Sequence, residues 1–210
     1  MPEIRSPKDP SYDGRVEVLE KTTPFRGYFQ IDRYKLRHRK FEGGWTEPQS
    51  REVFERGHAA SVLPYDPQRD CVVLIEQFRV GAYAAALEPW LVEAVAGIID
   101  PGETPEAVVR REAVEEAGCE ITILEPIGNF LLTPGASSET LAVFCGRTDS
   151  RGLGGVHGLP EEGEDIRVLV TPAEEAIAMA LEGRVTNANA AIPLLWLSAH
   201  RPRLRRQWTP

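Results

Sequence analysis

The stretch GIIDPGETPEAVVRREAVEEAGC, running from Gly97 to Cys119, decides how the rest of the chain is read. Thr104 followed by Pro105 predicts a helix start, because a Thr side chain accepts a hydrogen bond from an orphan N–H and Pro fits the first helical position. Gly118 predicts the helix end. Between them Val109, Ala113 and Ala117 recur at i, i+4 and i+8 and form a narrow apolar face. Glu112 and Glu116 lie one turn apart on another flank, with Glu115 beside them. Ahead of the helix, Gly97, Pro101, Gly102 and Glu103 predict a tight turn leading into it.

Carboxylates clustered on one helix flank repel each other unless a cation sits among them. Oxygen ligands at this density suit a hard divalent ion such as Mg²⁺ or Mn²⁺. A Glu-rich helix is also what a solvated face looks like, and Arg111 could simply pair with Glu115 one turn on. The turn rich in glycine and proline favours a built site, since a solvated face has no need of it.

Gly97, five residues, Glu103, seven residues, and then Arg111-Glu112-Ala113-Val114-Glu115-Glu116-Ala117-Gly118-Cys119 resemble the Nudix box. That signature belongs to hydrolases that cleave nucleoside diphosphates linked to another moiety. Ala113 and Cys119 stand where the family usually has a larger aliphatic residue, and both are apolar enough to pack. FERGHAA (54–60), VVLIEQFR (72–79), EAVAG (93–97), TPGASSE (133–139) and EEGEDI (161–166) resemble the branch of the family that hydrolyses ADP-ribose in bacteria. The resemblance covers nearly the full length, fading before about residue 15 and after about residue 200. It implies an α/β fold, an α/β/α sandwich with a mixed sheet, preceded by a small antiparallel β-domain.

The resemblance also implies roles for particular residues. Glu112 and Glu116, with the backbone oxygen of Ala96, would hold divalent ions beside the diphosphate, with Glu115 and Glu164 as additional ligands. Glu103 and Arg111 would fix the loop to the helix between Gly97 and Gly118. The general base would be Glu162, a carboxylate on a glycine-rich loop, or else Glu115 on the helix. Arg79 would meet a substrate phosphate, a task for which the planar guanidinium fork is suited, although it could equally pair with a neighbouring Glu. Tyr28 and Phe29 would pack near adenine. Arg51, Glu52 and Arg56 would come from the end of the β-domain, Ile98 from the signature loop, and Thr133, Pro134, Gly135 and Glu139 from a loop toward the ribose.

Composition narrows the function classes. The chain has 210 residues, enough for one sizeable core and a small appendage at roughly 150 residues per domain. With 24 Lys and Arg against 32 Asp and Glu the formal charge is −8, which argues against a nucleic-acid partner. An anionic small-molecule substrate must then be met by metal and local arginines. No apolar run is long enough to span a membrane, and Met1 to Tyr12 lacks the basic and apolar segments of a signal peptide, so a cytoplasmic protein with no membrane partner is expected. Cys71, Cys119 and Cys145 are odd in number with no close pair, which predicts reduced thiols.

Along the chain, Arg15–Thr22, Tyr28–Arg39 and a run through Phe54 alternate as half-buried strands do, with Gly43-Gly44 as a turn. Residues 1–56 are therefore expected to form an N-terminal β-domain, and 57–210 the catalytic domain. The resemblance implies that the former helps build a homodimer by exchange between subunits and contributes to the nucleotide site. Further strands are expected at His58–Pro64, Cys71–Val80, Trp90–Ala96, Ile121–Leu132 and Thr140–Gly146. A helix is expected over Pro172–Leu181 with Thr171 and Glu174 as a capping box, and another from Asn187 to near His200. Residues 147–165 read as a mobile loop, His157 as a surface residue, and Arg201, Arg203, Arg205 and Arg206 as a solvated basic tail. The expected activity is Mg²⁺-dependent hydrolysis of ADP-ribose to AMP and ribose 5-phosphate. The alternatives are a nucleotide-sugar diphosphatase, acting for example on GDP-mannose, and a regulator that binds such ligands without cleaving them.

Overall fold

A computed structural model describes residues 14–159 and 163–209. The described chain forms two compact units. The smaller comprises the residues up to His58 together with Leu131–Thr140, and the larger Ala59–Phe130 together with those from Leu141 on.

The smaller unit is built on three antiparallel strands, β1 (Val16–Arg26), β2 (Gln30–His38) and β3 (Gln49–Glu55), in that order. Asp32 on β2 is 1% exposed and accepts hydrogen bonds from Thr23 at 2.6 Å and Gln30 at 3.2 Å, with the Lys21 ammonium at 2.6 Å. Without such partners a buried carboxylate would be costly. Residues 131–140 are tied to β3 by the Phe54 N–H on the Ala136 carbonyl at 2.8 Å and by Ser137 Oγ donating to the Phe54 carbonyl at 3.2 Å. β1 stays exposed along nearly its whole length, with Val16, Val18, Leu19 and Phe25 facing solvent.

The larger unit contains β4 (Ala59–Asp66), β5 (Cys71–Phe78), β6 (Trp90–Glu93), β7 (Val95–Ile98), β8 (Ile123–Leu131), β9 (Thr140–Arg147), β10 (Gly155–His157) and β11 (Ile166–Pro172). Their order is β10-β11-β5-β4-β9-β8, with β4 and β9 parallel, while β6 adds to β5 and β7 to β4. The helices are α1 (Val80–Ala84), α2 (Pro105–Ala117), α3 (Ala173–Leu181) and α4 (Ala188–Trp208). Period-two alternation sorts the core. Val62, Val73, Ile75 and Phe144 point to one face and pack with Val109, Ala113 and Ala117 of α2. Leu63, Tyr65, Val72 and Leu74 point to the other and pack with Ala176 and Ile177 of α3 and Leu194, Leu197 and Leu204 of α4. The result is the expected α/β/α sandwich around a mixed sheet.

The expected strand Trp90–Ala96 is in fact two. β4 and β5 pair only at Tyr65↔Val72 and Asp66↔Cys71, beside the turn where Asp66 accepts the N–H groups of Gln68 and Arg69. Beyond that point the chain segment after α1 pairs first with β5 as β6 and then with β4 as β7, changing partner at Ala94. Thr171 does not cap α3: it belongs to β11, opposite Val72, and α3 begins after Pro172 with no side-chain cap. β11 itself is a strand that the sequence pattern did not suggest, since it follows directly on an acidic loop.

The C-terminal arginines are not a solvated tail. α4 continues past His200 to Trp208 despite Pro193 and Pro202, because Leu204 and Trp208 are buried against the sheet. Arg201 forks onto Asp70, whose Oδ1 it reaches at 2.8 Å through Nε, and Arg205 adds a contact at 3.2 Å. Arg203 pairs with Glu125 at 2.5 Å. Within the 147–165 segment, expected as a loop, Gly155–His157 form β10, which pairs with β11. His157 is half-buried on that strand, with Nε2 2.9 Å from the Gly154 carbonyl. Among the described residues no helix is long and apolar enough to cross a membrane, and Cys71, Cys119 and Cys145 are unpaired.

Candidate active site

α2 forms as its sequence predicts. The Thr104 side chain accepts the Ala107 N–H at 3.2 Å, Pro105 opens the first turn, and Gly118 closes the last in the left-handed region at φ +60°. A side chain at 118 would also crowd the His157 ring. The apolar stripe Val109, Ala113 and Ala117 is buried, which fixes the rotation of the helix and presents the glutamate flank to β7 and the loop after it.

Glu116 is 3% exposed and accepts the backbone N–H of Ala96 on β7 at 3.1 Å. Burial, followed by the neighbouring charges of Glu112 and Glu164, pushes its carboxyl up to about 8, partly offset by the Ala96 hydrogen bond. Glu112 is half-buried, and burial raises its carboxyl too, with Glu115 and Glu164 adding to the effect against the pull of Arg111. Its side chain occupies the space beside Gly97 where a β-carbon would sit. Arg111 is the local cation. One guanidinium nitrogen donates to Glu112 at 2.8 Å and to Glu115 at 2.9 Å, and the group also reaches Glu103 at 3.4 Å. Both readings of the sequence, a loop-to-helix tie and an i,i+4 pair, therefore describe Arg111.

Glu164 accepts the Leu159 N–H at 3.0 Å and lies within electrostatic reach of Glu112 and Glu116. Glu162, expected as a base, lies outside the described residues. Ile98 ends β7, half-buried. Among the described residues no three acidic, histidine or cysteine side chains already converge as a metal cluster, because Arg111 draws two of these carboxylates to itself and the Ala96 N–H holds a third. The donor chemistry nevertheless suits a hard cation: oxygen ligands, close together on one helix flank, with Glu116 pushed up to about 8 chiefly by burial and further by the charges of Glu112 and Glu164.

Arg79, just past β5, forks onto Glu93 at 2.9 and 2.7 Å, so the ion-pair reading of the sequence is met, and it lies within electrostatic reach of Glu116. Glu93 was not singled out from the sequence. Its signal was a lone carboxylate closing the apolar run Trp90-Leu91-Val92.

The smaller unit gathers a second group. Phe29 stands edge-on to Tyr28 and Phe54, with ring centroids 4.7 and 5.1 Å away, and the Arg56 guanidinium lies over it at 5.5 Å. Arg56 pairs with the buried Glu139 at 3.3 Å, and Thr133, Pro134 and Gly135 lie exposed in the same 131–140 segment. Arg51 and Glu52 turn elsewhere, Arg51 to Gln49 and the Ser50 carbonyl and Glu52 to Arg33 at 2.7 Å.

Comparison with known proteins identifies the family. The NUDIX domain family matches residues 55–191. An ADP-ribose pyrophosphatase of Escherichia coli (strain K12) is 47% identical over 193 residues, covering 92% of each chain. That of Haemophilus influenzae is 38% identical over 196 residues, covering 92% of this chain and 90% of its own. The crystal structure of an ADP compounds hydrolase superposes with a TM-score of 0.64 at 21% identity over 89% of this chain and 96% of that one, a likeness of fold. The match of the family model over residues 55–191 and the similarity over 92% of the chain, with the carboxylate-bearing helix they contain, place the chain in the NUDIX domain family of hydrolases.

Proposed function

We propose that this chain hydrolyses ADP-ribose at its diphosphate, giving AMP and ribose 5-phosphate, with Mg²⁺, or Mn²⁺ in its place, as cofactor. The observation that carries the reading is the buried Glu116, one helical turn from Glu112 and held by the Ala96 N–H, in a chain whose relatives include ADP-ribose pyrophosphatases. Glu112, Glu115, Glu116, Glu164 and the Ala96 carbonyl would hold the metal. When bound, such a cation neutralises diphosphate oxygens and makes water more acidic.

The chain's own residues do the rest. Water adds to one phosphorus, the bridging P–O bond breaks, and Glu162 or Glu115 takes the water proton. Arg79 meets the diphosphate, Tyr28 and Phe29 pack against adenine, and Arg51, Glu52, Arg56, Ile98, Thr133, Pro134, Gly135 and Glu139 contact the rest of the substrate. The uncovered β1 edge, with its apolar residues exposed, supports a homodimer in which the N-terminal unit, residues 1–56, is exchanged and the site in 57–210 is completed by the partner.

A substrate panel with Mg²⁺, read as phosphate released by an added phosphatase, tests the reading. ADP-ribose should give the highest kcat/KM. A preference for GDP-mannose would make the chain a nucleotide-sugar diphosphatase, and binding of ADP-ribose without turnover would make it a regulator.

A further inference from the structure

Glu93 closes β6 with 1% of its surface exposed, and no step of the hydrolysis uses it. Both of its oxygens are filled. Oε1 accepts from Arg79 Nε at 2.9 Å and from Asn187 Nδ2 at 2.7 Å, and Oε2 accepts from Arg79 Nη2 at 2.7 Å. A fork-to-fork contact of this kind fixes the plane of the guanidinium as well as its position. Asn187 is itself fixed, because its Oδ1 accepts the Asn189 N–H at 2.8 Å as the N-cap of α4, which leaves Nδ2 aimed at Glu93.

Two features make this more than a packing contact. The Arg79 side chain remains 44% exposed, and with Nε and Nη2 committed to Glu93 its Nη1 is left with no hydrogen-bond partner among the described residues. Glu93 also lies on the segment that organises the carboxylates, since β6 leads through Ala94 into β7, where the Ala96 N–H holds Glu116. One short run of chain thus anchors both Arg79 and Glu116. Stability alone does not call for such a pair, because apolar residues in its place would serve as well.

On the reading that a diphosphate binds beside Glu112 and Glu116, we propose that Glu93, steadied by Asn187, is a positioning residue that holds the Arg79 guanidinium with its Nη1 end toward the substrate's diphosphate. The pair's attraction offsets part of the arginine's charge, so what Glu93 contributes is orientation. Replacing it by Gln keeps the shape but sets an NH₂ group against a guanidinium that also only donates, and the fork must turn.

A double-mutant cycle of Glu93→Gln and Arg79→Ala tests this, read by KM and kcat on ADP-ribose with Mg²⁺ and, separately from turnover, by calorimetric binding of α,β-methylene-ADP, whose diphosphate is not cleaved. Glu93→Gln should raise KM and the dissociation constant about 10-fold, with melting behaviour near wild type, and should add less than about 2-fold once Arg79 is already Ala. Independent, multiplying effects, or a lowered melting temperature with unchanged KM and binding, would overturn the proposal and leave Glu93 structural. Should Glu93→Gln fail to fold, Asn187→Ser keeps the helix cap while removing the donor to Glu93. It should shift binding in the same direction more weakly, and only where Arg79 is present; no shift refutes the role. Wild-type protein that binds the methylene analogue but does not cleave ADP-ribose would sink the proposed reaction, while the binding cycle still decides the pair.

Discussion

The Glu112 side chain fills the space beside Gly97 that any β-carbon at that position would need. Gly97 lies on β7 and Glu112 on α2, so the glycine sets how closely the carboxylate helix seats against the loop that feeds it. Gly97→Ala should therefore displace Glu112 while the apolar stripe keeps the helix in place. We expect kcat/KM to fall by about 100-fold with the thermal transition preserved. A variant with near wild-type kcat/KM would show that Glu112 has room to move without consequence.

Glu116 should reveal the metal directly. A divalent ion that binds only the folded chain stabilises it by RT ln(1 + c/Kd), with c the ion concentration, so the melting temperature rises with the logarithm of concentration once the site is filled. Mg²⁺ should stabilise wild type and not Glu116→Gln, whose kcat should drop by several orders of magnitude, roughly 1,000-fold or more. Full turnover in excess chelator would refute the metal mechanism.

The proton acceptor is decided by comparing two substitutions. If Glu162 is the base, Glu162→Gln should keep substrate and metal affinity and lose turnover. Glu115 is already bonded to Arg111 at 2.9 Å, which makes it the poorer candidate in the metal-free chain. If instead Glu115→Gln shows that pattern while Glu162→Gln turns over normally, the base is on the helix.

The carboxylate helix was legible because each of its signals is local: Thr104 and Gly118 act within a turn of themselves, and the apolar stripe repeats at helical spacing. The core strands were legible for the same reason. What sequence did not disclose depends on distant partners. Trp90–Ala96 breaks in two because β4 and β5 diverge, and Arg201 reads as a tail until Asp70 is placed beside it. Glu93 looked like one more carboxylate until its contacts with Arg79 and Asn187 were seen. Thr171 and Glu174 satisfied a capping pattern that β11 pairing overrode.

Asp70 is the most accessible of these long-range ties. It sits at φ +57°, accepts the Tyr65 hydroxyl at 2.7 Å and holds Arg201, whose hydrogen bond is the main reason its carboxyl lies below the usual range. Because its folded pKa is depressed, the stabilisation is present above the unfolded value of about 4 and is lost as pH falls through the lower folded value. Asp70→Asn, a change that tolerates the same backbone, should cost about 1 kcal/mol at pH 7, and the cost should shrink as pH falls below about 4 and through the folded value. A pH-independent difference in melting temperature would mean that the ion pair is not its source.

The proposed dimer makes the most demanding prediction. A three-stranded sheet cannot bury enough apolar surface alone, and β1 leaves Val16, Val18, Leu19 and a 60% exposed Phe25 in contact with water. A second copy of the chain supplies cover at that edge, and exchange of the N-terminal unit would set Arg56 and Phe29 of one subunit at the carboxylate helix of the other. Arg56→Ala and Glu116→Gln should each be nearly inactive as pure dimers. After mixing and subunit exchange, half of the molecules should be heterodimers, in which one site carries both defects and the other carries neither. Recovered activity should therefore approach a quarter of the wild-type rate, since only one site in every four is intact. If the residues act within one chain, every site carries one defect and mixing restores nothing. Exchange proven by mass labelling without recovery, or a fully active monomer by light scattering, would refute the shared site.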